Sequence, residues 1–437
     1  MKKSLLTVLM SGIVAAVVTL LILLSVGVFP TAAPAGDVTE PVEESAPTGQ
    51  GELVSNTELF GYANVLDYGA DPKGDEDCSD AIKKAMKDSK LLYFPQGTYL
   101  INKLSIPGSV TLQGAGSNAT IIKTDNLTSN VLIFKSDGWH VKDMKFTSSS
   151  YRTGGAYIYS GGNDASIENV SIEQHYVGFD LDGAMNINII NTTARGGTPH
   201  SIAEGGAAIR LGNNAYTGQI NIRGIFAWPT ALNMQPTSAI TMEYVDVVSI
   251  SDALLIGHTK DVIIAPGRRQ FASLIEVTNS CFDTATTGLS VEPVNGGLVR
   301  CSGFSNTWFG AHTGDGIILD GTNGTIPGLQ FTNCMFMYNR GDGVKAQGEG
   351  ADNLYFDNCF SSANLGNGLY VSDKAQNIVW NGGSIGASHG GNANQKYGYC
   401  FEDGCSGRIT LTDIRDNVLG PGKGDTDCIT LVDNFVK

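Results

Sequence analysis

The chain has 437 residues, of which 55 are glycine and 14 are proline; 42% are hydrophobic and only 16% are charged. This composition excludes a disordered chain, which has high charge and few apolar residues, and disfavours a helical bundle, because glycine is costly inside helices. The formal net charge of −15 argues against a nucleic-acid partner, because an acidic surface repels phosphates, but it leaves a sugar ligand open.

The first residues predict a membrane segment. Two lysines precede the stretch from Leu5 to Phe29, which has no charged residue. It exceeds a usual signal-peptide apolar region and is long enough to span a bilayer as a helix. We therefore expect residues 1–30 to be an uncleaved anchor that attaches the protein to a membrane at the cell surface, with the remaining chain outside. Cleavage after Ala35, which would give a secreted protein, is the alternative.

Residues 31–57 are rich in Ala, Pro, Glu, Gly and Ser and predict a flexible acidic linker. Next, the segment Asp80–Asp88 has helical spacing, with Asp77 or Ser79 as its N-cap. We expect this helix to close the first coil of the repeat that follows, because a solenoid needs a cap.

Residues 58–437 form one domain built from a repeated pattern. Each copy opens with a small residue and then alternates apolar and variable residues, as a strand with one buried face does. Asn, Asp and Gly fill the junctions. A period of roughly 25 residues with two or three strands predicts an all-β, single-stranded right-handed parallel β-helix in preference to a β-sandwich. The clearest copies begin at Gly178, Gly288, Gly316, Gly343, Gly368 and Gly398, and weaker copies begin at Gly155, Gly206, Ala231 and Ala253.

The eight cysteines do not have the spacing of a disulfide framework. Cys301, Cys334 and Cys359 recur one repeat apart and predict an interior ladder of small side chains. For Cys400 and Cys405, a local bridge and two free thiols both stay open. No cysteine or histidine spacing typical of a zinc site occurs, so we expect neither a metal nor another cofactor.

Three segments near the start, Asn64–Asp71, Tyr93–Ile101 and Val110–Gly116, carry a recognisable pattern. They resemble the cap and first coils of the pectate-lyase-like superfamily, which includes phage tailspike depolymerases, polygalacturonase-related hydrolases and some epimerases. The resemblance implies a β-helix that binds, and often cleaves, a polysaccharide. It also implies a homotrimer as one assembly, because many tailspikes are trimers, and a virion spike as an alternative location.

Positions two and four after the small residue of each copy face outward and predict a surface for an extended glycan. Glu292 and Asp320 fall on neighbouring coils, where two like charges raise the pKa of one carboxyl and leave a proton donor beside an ionised partner. A glycosidase needs that pair. Asp182 is a third candidate catalytic carboxylate. It lies near Asp180 and Arg210, and carboxylates beside an arginine suit binding or β-elimination.

Further candidates for substrate binding surround these carboxylates. Tyr159 lies one coil before Asp180, and Trp308 and His312 precede the coil of Asp320 and are candidates for sugar stacking and proton transfer. Asp315 and Asp342 lie at equivalent turns and add negative charge, although aspartate there is often only a turn residue.

Three functions remain open from these residues and the resemblance. The first is a polysaccharide depolymerase that acts on a bacterial surface or acidic polysaccharide, as a glycoside hydrolase rather than a lyase. The second is a non-catalytic spike that binds a glycan receptor. The third is a structural surface-layer protein.

Overall fold

The computed structural model describes residues 61–199, 204–229, 237–387, 392–424 and 428–436. The predicted membrane segment 1–30 and linker 31–57 lie outside them. No helix in these ranges is long and apolar enough to cross a membrane. This finding corrects the predicted location at a membrane surface, which we do not retain.

A short helical region begins the described chain. A 3₁₀ helix covers Val65–Tyr68, and helix α1 covers Ser79–Asp88. The Oδ1 atom of Asp77 accepts a hydrogen bond of 2.8 Å from the backbone N–H of Ser79, which satisfies one donor at the start of α1. The apolar side of α1 is buried in the same core as the first strands.

The rest of the described chain winds through three sheets, which we number in the order that each coil visits them. Sheet 1 has 17 strands: Ala63–Asn64, Leu91–Phe94, Thr111–Gly114, His140–Lys142, Ala165–Glu168, Met185–Ile190, Thr217–Arg223, Val245–Ser251, Phe271–Thr278, Leu298–Arg300, Gly303–Ser305, Ile326–Pro327, Gln330–Thr332, Ala351–Asp357, Gln376–Asn381, Gly407–Thr410 and Ile429–Val432. Sheet 2 has 14: Gly97–Leu100, Thr120–Thr124, Lys145–Ser148, Ser171–Glu173, Thr193–Arg195, Phe226–Trp228, Leu254–Ile256, Cys281–Asp283, Trp308–Gly310, Met335–Met337, Phe360–Ser362, Ser384–Ile385, Asp413–Ile414 and Phe435–Val436. Sheet 3 has 13: Leu104–Ile106, Leu132–Phe134, Ala156–Ser160, Val177–Leu181, Ala207–Leu211, Ser238–Met242, Lys260–Ile264, Thr287–Val291, Ile317–Asp320, Val344–Gln347, Leu369–Ser372, Tyr397–Phe401 and Gly420–Lys423.

Each strand pairs in parallel with the equivalent strand one coil away. In sheet 3, for example, Val177–Leu181 pairs with Ala156–Ser160 on one side and with Ala207–Leu211 on the other. Three parallel sheets visited once per coil define a parallel β-helix. The predicted fold class, an all-β right-handed parallel β-helix, is confirmed.

The core repeats the same side chains from coil to coil. Phe304, Phe331, Phe356 and Trp380 stack in one column, with ring centroids 4.7, 4.9 and 5.2 Å apart. This spacing follows the distance between adjacent strands, about 4.8 Å. Stacked rings thus fill the tube without a change of register.

A column of glycines lines the corner between sheets 2 and 3. A Cβ at Gly288 would lie 2.5 Å from Nε2 of His312, and one at Gly316 would lie 2.7 Å from Nδ2 of Asn339. His312 and Asn339 are fully buried. In the copies that begin at Gly288 and beyond, a buried polar side chain therefore occupies the space of the missing Cβ, whereas at Gly178 the side chain of Ile172 does.

The cysteines follow the predicted ladder only in part. Cys334 and Cys359 are buried on neighbouring coils, whereas Cys301 is exposed. Cys301 has a φ of 51° in the bend between two strands of sheet 1, and Ser302 turns inward in its place. Cys400 and Cys405 are buried free thiols.

Candidate functional site

The outer face of sheet 3 gathers a group of charged residues in its first half. Tyr159, Asp180 and Arg210 are paired in one outward column on three consecutive coils. Asp182 and Glu243 each follow directly after their strands, Val177–Leu181 and Ser238–Met242. We call Asp180, Asp182, Arg210 and Glu243 the Glu243 patch. Counted four residues from the predicted starts at Gly155, Gly178 and Gly206, the column would be Tyr159, Asp182 and Arg210; the strand pairing corrects this register and places Asp180 in the column.

An ion pair forms the base of the Glu243 patch. Arg210 donates from Nε to Oδ1 of Asp180 at 3.1 Å and from Nη2 to Oδ2 at 2.6 Å. The side chains are only 19% and 6% exposed, respectively. The two hydrogen bonds engage Nε and Nη2 of the guanidinium, and the carboxylate of Asp180 is therefore not free to act on a ligand.

The turn that follows the Arg210 strand holds Asp182. Its Oδ1 accepts hydrogen bonds from the backbone N–H groups of Asn214 and Ala215, at 2.8 and 2.7 Å. Its Oδ2 accepts one of 3.1 Å from Nδ2 of Asn214. Three donors fix the direction of the carboxylate, which suits a base or an electrostatic partner.

Glu243 has the most altered chemistry in the patch. Burial, opposed by Arg210 and assisted by the nearby Asp182 and Asp180, raises its pKa to about 7. A carboxyl with such a pKa carries a proton for part of the time at neutral pH and can act as a general acid. The patch therefore combines a proton donor, Glu243, with a hydrogen-bonded carboxylate, Asp182, on one outer face.

The sequence prediction missed Glu243 because it placed this copy at Ala231 instead of Ser238. Residues 230–236 lie outside the described residues, and the strand begins after them. A usable signal was present: Ala239–Glu243 repeats the small–apolar–variable–apolar–acidic order of Gly178–Asp182. Glu243 also follows Met242, which pairs with Leu211 of the Arg210 strand.

Glu292 and Asp320 are neighbours, as predicted, but neither has the environment of an acid. Glu292 accepts hydrogen bonds from Nζ of Lys260 and from Ser290. Asp320 accepts 2.9 and 2.8 Å bonds from the backbone of Thr322 and the amide of Gln347. Hydrogen bonds from Thr322 and Gln347 lower the pKa of Asp320, outweighing the effect of burial. Both carboxylates are therefore satisfied acceptors.

The other candidates do not join this pair. His312 is fully buried in the corner between sheets 2 and 3, and burial lowers its pKa to about 3, so it has no route for proton transfer to a surface ligand. Trp308 lies on sheet 2, a different face, with its Nε1 donating to Asp283 at 3.1 Å. Trp308 therefore lies on a different face from Glu292 and Asp320.

Asp315 and Asp342 occupy turns of neighbouring coils. Oδ1 of Asp315 accepts a 2.7 Å hydrogen bond from the backbone of Asp342. Oδ1 of Asp342 accepts bonds of 2.6 and 2.9 Å from the backbone and the amide of Asn367. Burial raises the pKa of Asp342. These contacts fit the role of turn residues, the alternative to added charge beside Glu292 and Asp320. In the described part of the chain, no cluster of three or more His, Cys, Asp or Glu side chains is arranged to hold a metal ion.

Comparison with known families agrees with this architecture. Residues 62–253 match the family of rhamnogalacturonase A/epimerase, pectate lyase-like proteins. The matched stretch contains the whole Glu243 patch. The predicted resemblance to the pectate-lyase-like right-handed β-helix superfamily is thus confirmed.

One curated relative and several solved structures are similar to this chain. A protein described as phage-related, YobO of Bacillus subtilis (strain 168), is 32% identical over 89 residues; the match covers 20% of this chain and 11% of YobO. Tailspike protein 3 of bacteriophage CBA120 has a TM-score of 0.63 at 14% identity, covering 87% of this chain and 62% of that one.

Two further structures share the fold at low identity. A mutant tailspike protein of E. coli bacteriophage HK620, in complex with a pentasaccharide, has a TM-score of 0.60 at 11% identity, covering 82% of this chain and 71% of that one. The A-module of the mannuronan C-5 epimerase AlgE6 of Azotobacter vinelandii has a TM-score of 0.55 at 14% identity, covering 85% of this chain and 99% of that one. At these identities the likeness concerns the fold alone.

Proposed function

We propose that this chain is a polysaccharide-acting β-helix protein that hydrolyses a glycosidic bond at the Glu243 patch. The observation that carries the proposal is the pairing of Glu243, whose pKa burial raises to about 7, with the hydrogen-bonded carboxylate of Asp182 on the same outer face. Relatives of the fold include a tailspike solved with a pentasaccharide and a polysaccharide epimerase, which supports a glycan ligand.

In this mechanism Glu243 donates its proton to the glycosidic oxygen as the bond to the anomeric carbon breaks. Asp182 accepts a proton from the water that attacks that carbon. The strands before these residues are two spacings apart, about 9.6 Å. This lies near the upper end of the separation between carboxyl groups in inverting glycosidases, about 6.5–9.5 Å, and leaves room for the water. The proposed product therefore has the inverted anomeric configuration.

A lyase reaction has less support from the same residues. β-Elimination of a uronate needs a cation beside the sugar carboxylate and a base for the C5 proton. Two hydrogen bonds to Asp180 already engage the guanidinium of Arg210. The three carboxylates of the patch would also repel an acidic sugar. We therefore favour hydrolysis of a neutral stretch of polysaccharide.

The test is turnover by the full chain on a panel of capsular, O-antigen and plant polysaccharides, with new reducing ends as the readout. We expect Glu243→Gln to lower kcat by about 10²–10⁴, the usual contribution of a general acid. Glu292→Gln is the matched control, because this carboxylate pairs with Lys260 on the same sheet, and should retain activity. The anomer formed is read by NMR.

Three results would contradict this assignment. Loss of turnover in Glu292→Gln, with Glu243→Gln active, would move the site to the pair predicted from sequence. Binding of a glycan by the wild type without any product on the panel would favour the non-catalytic spike. Unsaturated uronate products, detected by their ultraviolet absorbance, would replace hydrolysis with elimination.

A further inference from the structure

A groove on sheet 2 lies away from the Glu243 patch. Trp308, Met335 and Phe360 are paired in one outward column on three consecutive coils. Together with asparagines of the neighbouring turn they line a cavity of about 400 Å³. We call this the Trp308 groove. None of its lining residues is titratable, so its chemistry differs from that of sheet 3.

The indole of Trp308 lies flat against the sheet. A Cβ at Gly310 would lie 2.4 Å from Cε2 and 2.5 Å from Cζ2 of Trp308, so the ring fills the space left by the missing side chain. The hydrogen bond from Nε1 to Asp283 fixes the ring in that position. The indole is half-buried and contributes to the lining of the cavity. A ring held flat over a glycine is preorganised for stacking.

An exposed ladder of asparagines forms the rim of the groove. Nδ2 of Asn333 donates to Oδ1 of Asn306 at 3.3 Å, and Nδ2 of Asn358 donates to Oδ1 of Asn333 at 2.8 Å. Each carboxamide has two N–H donors and two lone pairs, and the contact with each neighbour uses one. A donor and an acceptor therefore remain at each step, repeated about every 4.8 Å along the helix axis.

We propose that the Trp308 groove is a second, non-catalytic site that binds a neutral oligosaccharide along the helix axis. A sugar ring has an apolar C–H face, which stacks on the indole, and hydroxyl groups that both donate and accept hydrogen bonds from the amide rim. The lining has no charge to pair with a uronate or a phosphate. The site does not depend on the Glu243 patch, and together the two would hold one long polymer more tightly than either alone.

Tryptophan fluorescence of the full chain offers a direct test. Of the four tryptophans, Trp139 and Trp380 are fully buried. A ligand that binds at the surface therefore changes the fluorescence of Trp228 or Trp308. We titrate neutral oligosaccharides from dextran, laminarin, galactomannan and neutral O-antigens. Trp308→Ala removes the reporter, so its affinity is measured by isothermal titration calorimetry, and we expect it to bind about tenfold or more weakly than the wild type, as for a central aromatic contact. Trp228→Phe, on the same sheet, is the matched control.

Two more variants separate this site from folding and from the proposed hydrolysis. Met335→Glu places a charge in the groove at a side chain that is 43% exposed, and should weaken binding with an unchanged melting temperature. Glu243→Gln should bind the same oligosaccharides as the wild type. The proposal is overturned if no neutral oligosaccharide binds, if Trp308→Ala binds as tightly as the wild type, or if Trp308→Ala instead abolishes a self-association seen by light scattering.

Discussion

The two halves of the outer face of sheet 3 carry similar residues in different electrostatic states. In the first half, the carboxyl of Glu243 is half-buried beside two other carboxylates, and its pKa is raised to about 7. In the second half, Glu292 pairs with Lys260, and amide and hydroxyl donors lower the pKa of Asp320. Position on the sheet is equivalent, so the neighbours of each carboxyl decide its protonation.

This comparison shows why adjacency of two carboxylates is a weak sign of catalysis. Glu292 and Asp320 are closer in register than Asp182 and Glu243, yet each has its own donors. Asp182 and Glu243 have a strand between them, and the cation of that strand, Arg210, is paired with Asp180. Burial, rather than adjacency to a second carboxylate, is the main cause of the altered pKa of Glu243.

The largest effect on stability is expected for the ion pair of the first half. Arg210→Gln would leave Asp180, only 6% exposed, without its counter-ion, and we expect the free energy of unfolding to fall by about 3–5 kcal/mol. Lys260→Gln removes the cation that pairs with Glu292 in the second half, where the two side chains are about one-third exposed. We expect this variant to lower the free energy of unfolding by about 1 kcal/mol or less. Urea denaturation of both variants measures the difference; equal losses would break the comparison.

The pH dependence of stability tests directly whether folding raises the pKa of Glu243. A carboxyl whose pKa is raised on folding contributes stability that is complete at low pH and is lost as the pH rises through the folded pKa. We expect the wild type to match Glu243→Gln near pH 4 and to become less stable than this variant, on the order of 2 kcal/mol, as the pH passes 7. A pH-independent difference between the two proteins would show that Glu243 has an ordinary pKa.

The last prediction concerns the glycine column at the corner between sheets 2 and 3, which runs along both halves. Gly316→Ala would place a Cβ 2.4 Å from the carbonyl oxygen of Gly343, and should lower the free energy of unfolding by about 1–3 kcal/mol. In the first half the same column holds Ala208 and Ala239, both fully buried, so alanine fits there. Gly108→Ala, where only Nζ of Lys90 is near, is the control and should change stability little. Thermal unfolding of both variants measures this, and a neutral Gly316→Ala would remove the steric explanation.

The sequence predicts the fold well because a glycine marks the start of each copy of the repeat in the second half. From Gly288 onward, the predicted outward positions agree with the strand pairing, including Glu292 opposite Asp320. In the first half, Tyr157, Ala208 and Ala239 occupy the column position that glycine holds in the second half. Because no glycine marks this position, the sequence analysis places the starts of two copies two residues too early, at Gly155 and Gly206. That shift hid the pairing of Asp180 with Arg210.

The protonation of Glu243 could not be predicted from the sequence, for a different reason. The pKa of Glu243 depends on burial and on side chains from strands about 30 and 60 residues away along the chain, where spacing varies with the connections. His312 shows the converse case. Its position beside Trp308 in sequence suggested a surface role, but the chain turns inward after sheet 2 and buries it.

The glycine column also governs which insertions and deletions this protein tolerates during evolution. A whole extra coil adds one glycine and one buried polar partner together, and leaves every other coil in register, because each coil contacts only its neighbours. Loss of a single residue within a strand exchanges its inward and outward side chains and places a Cβ against a partner such as Asn339. Length should therefore vary among descendants of this gene in steps of entire coils or within the turns, rather than by single residues in strands.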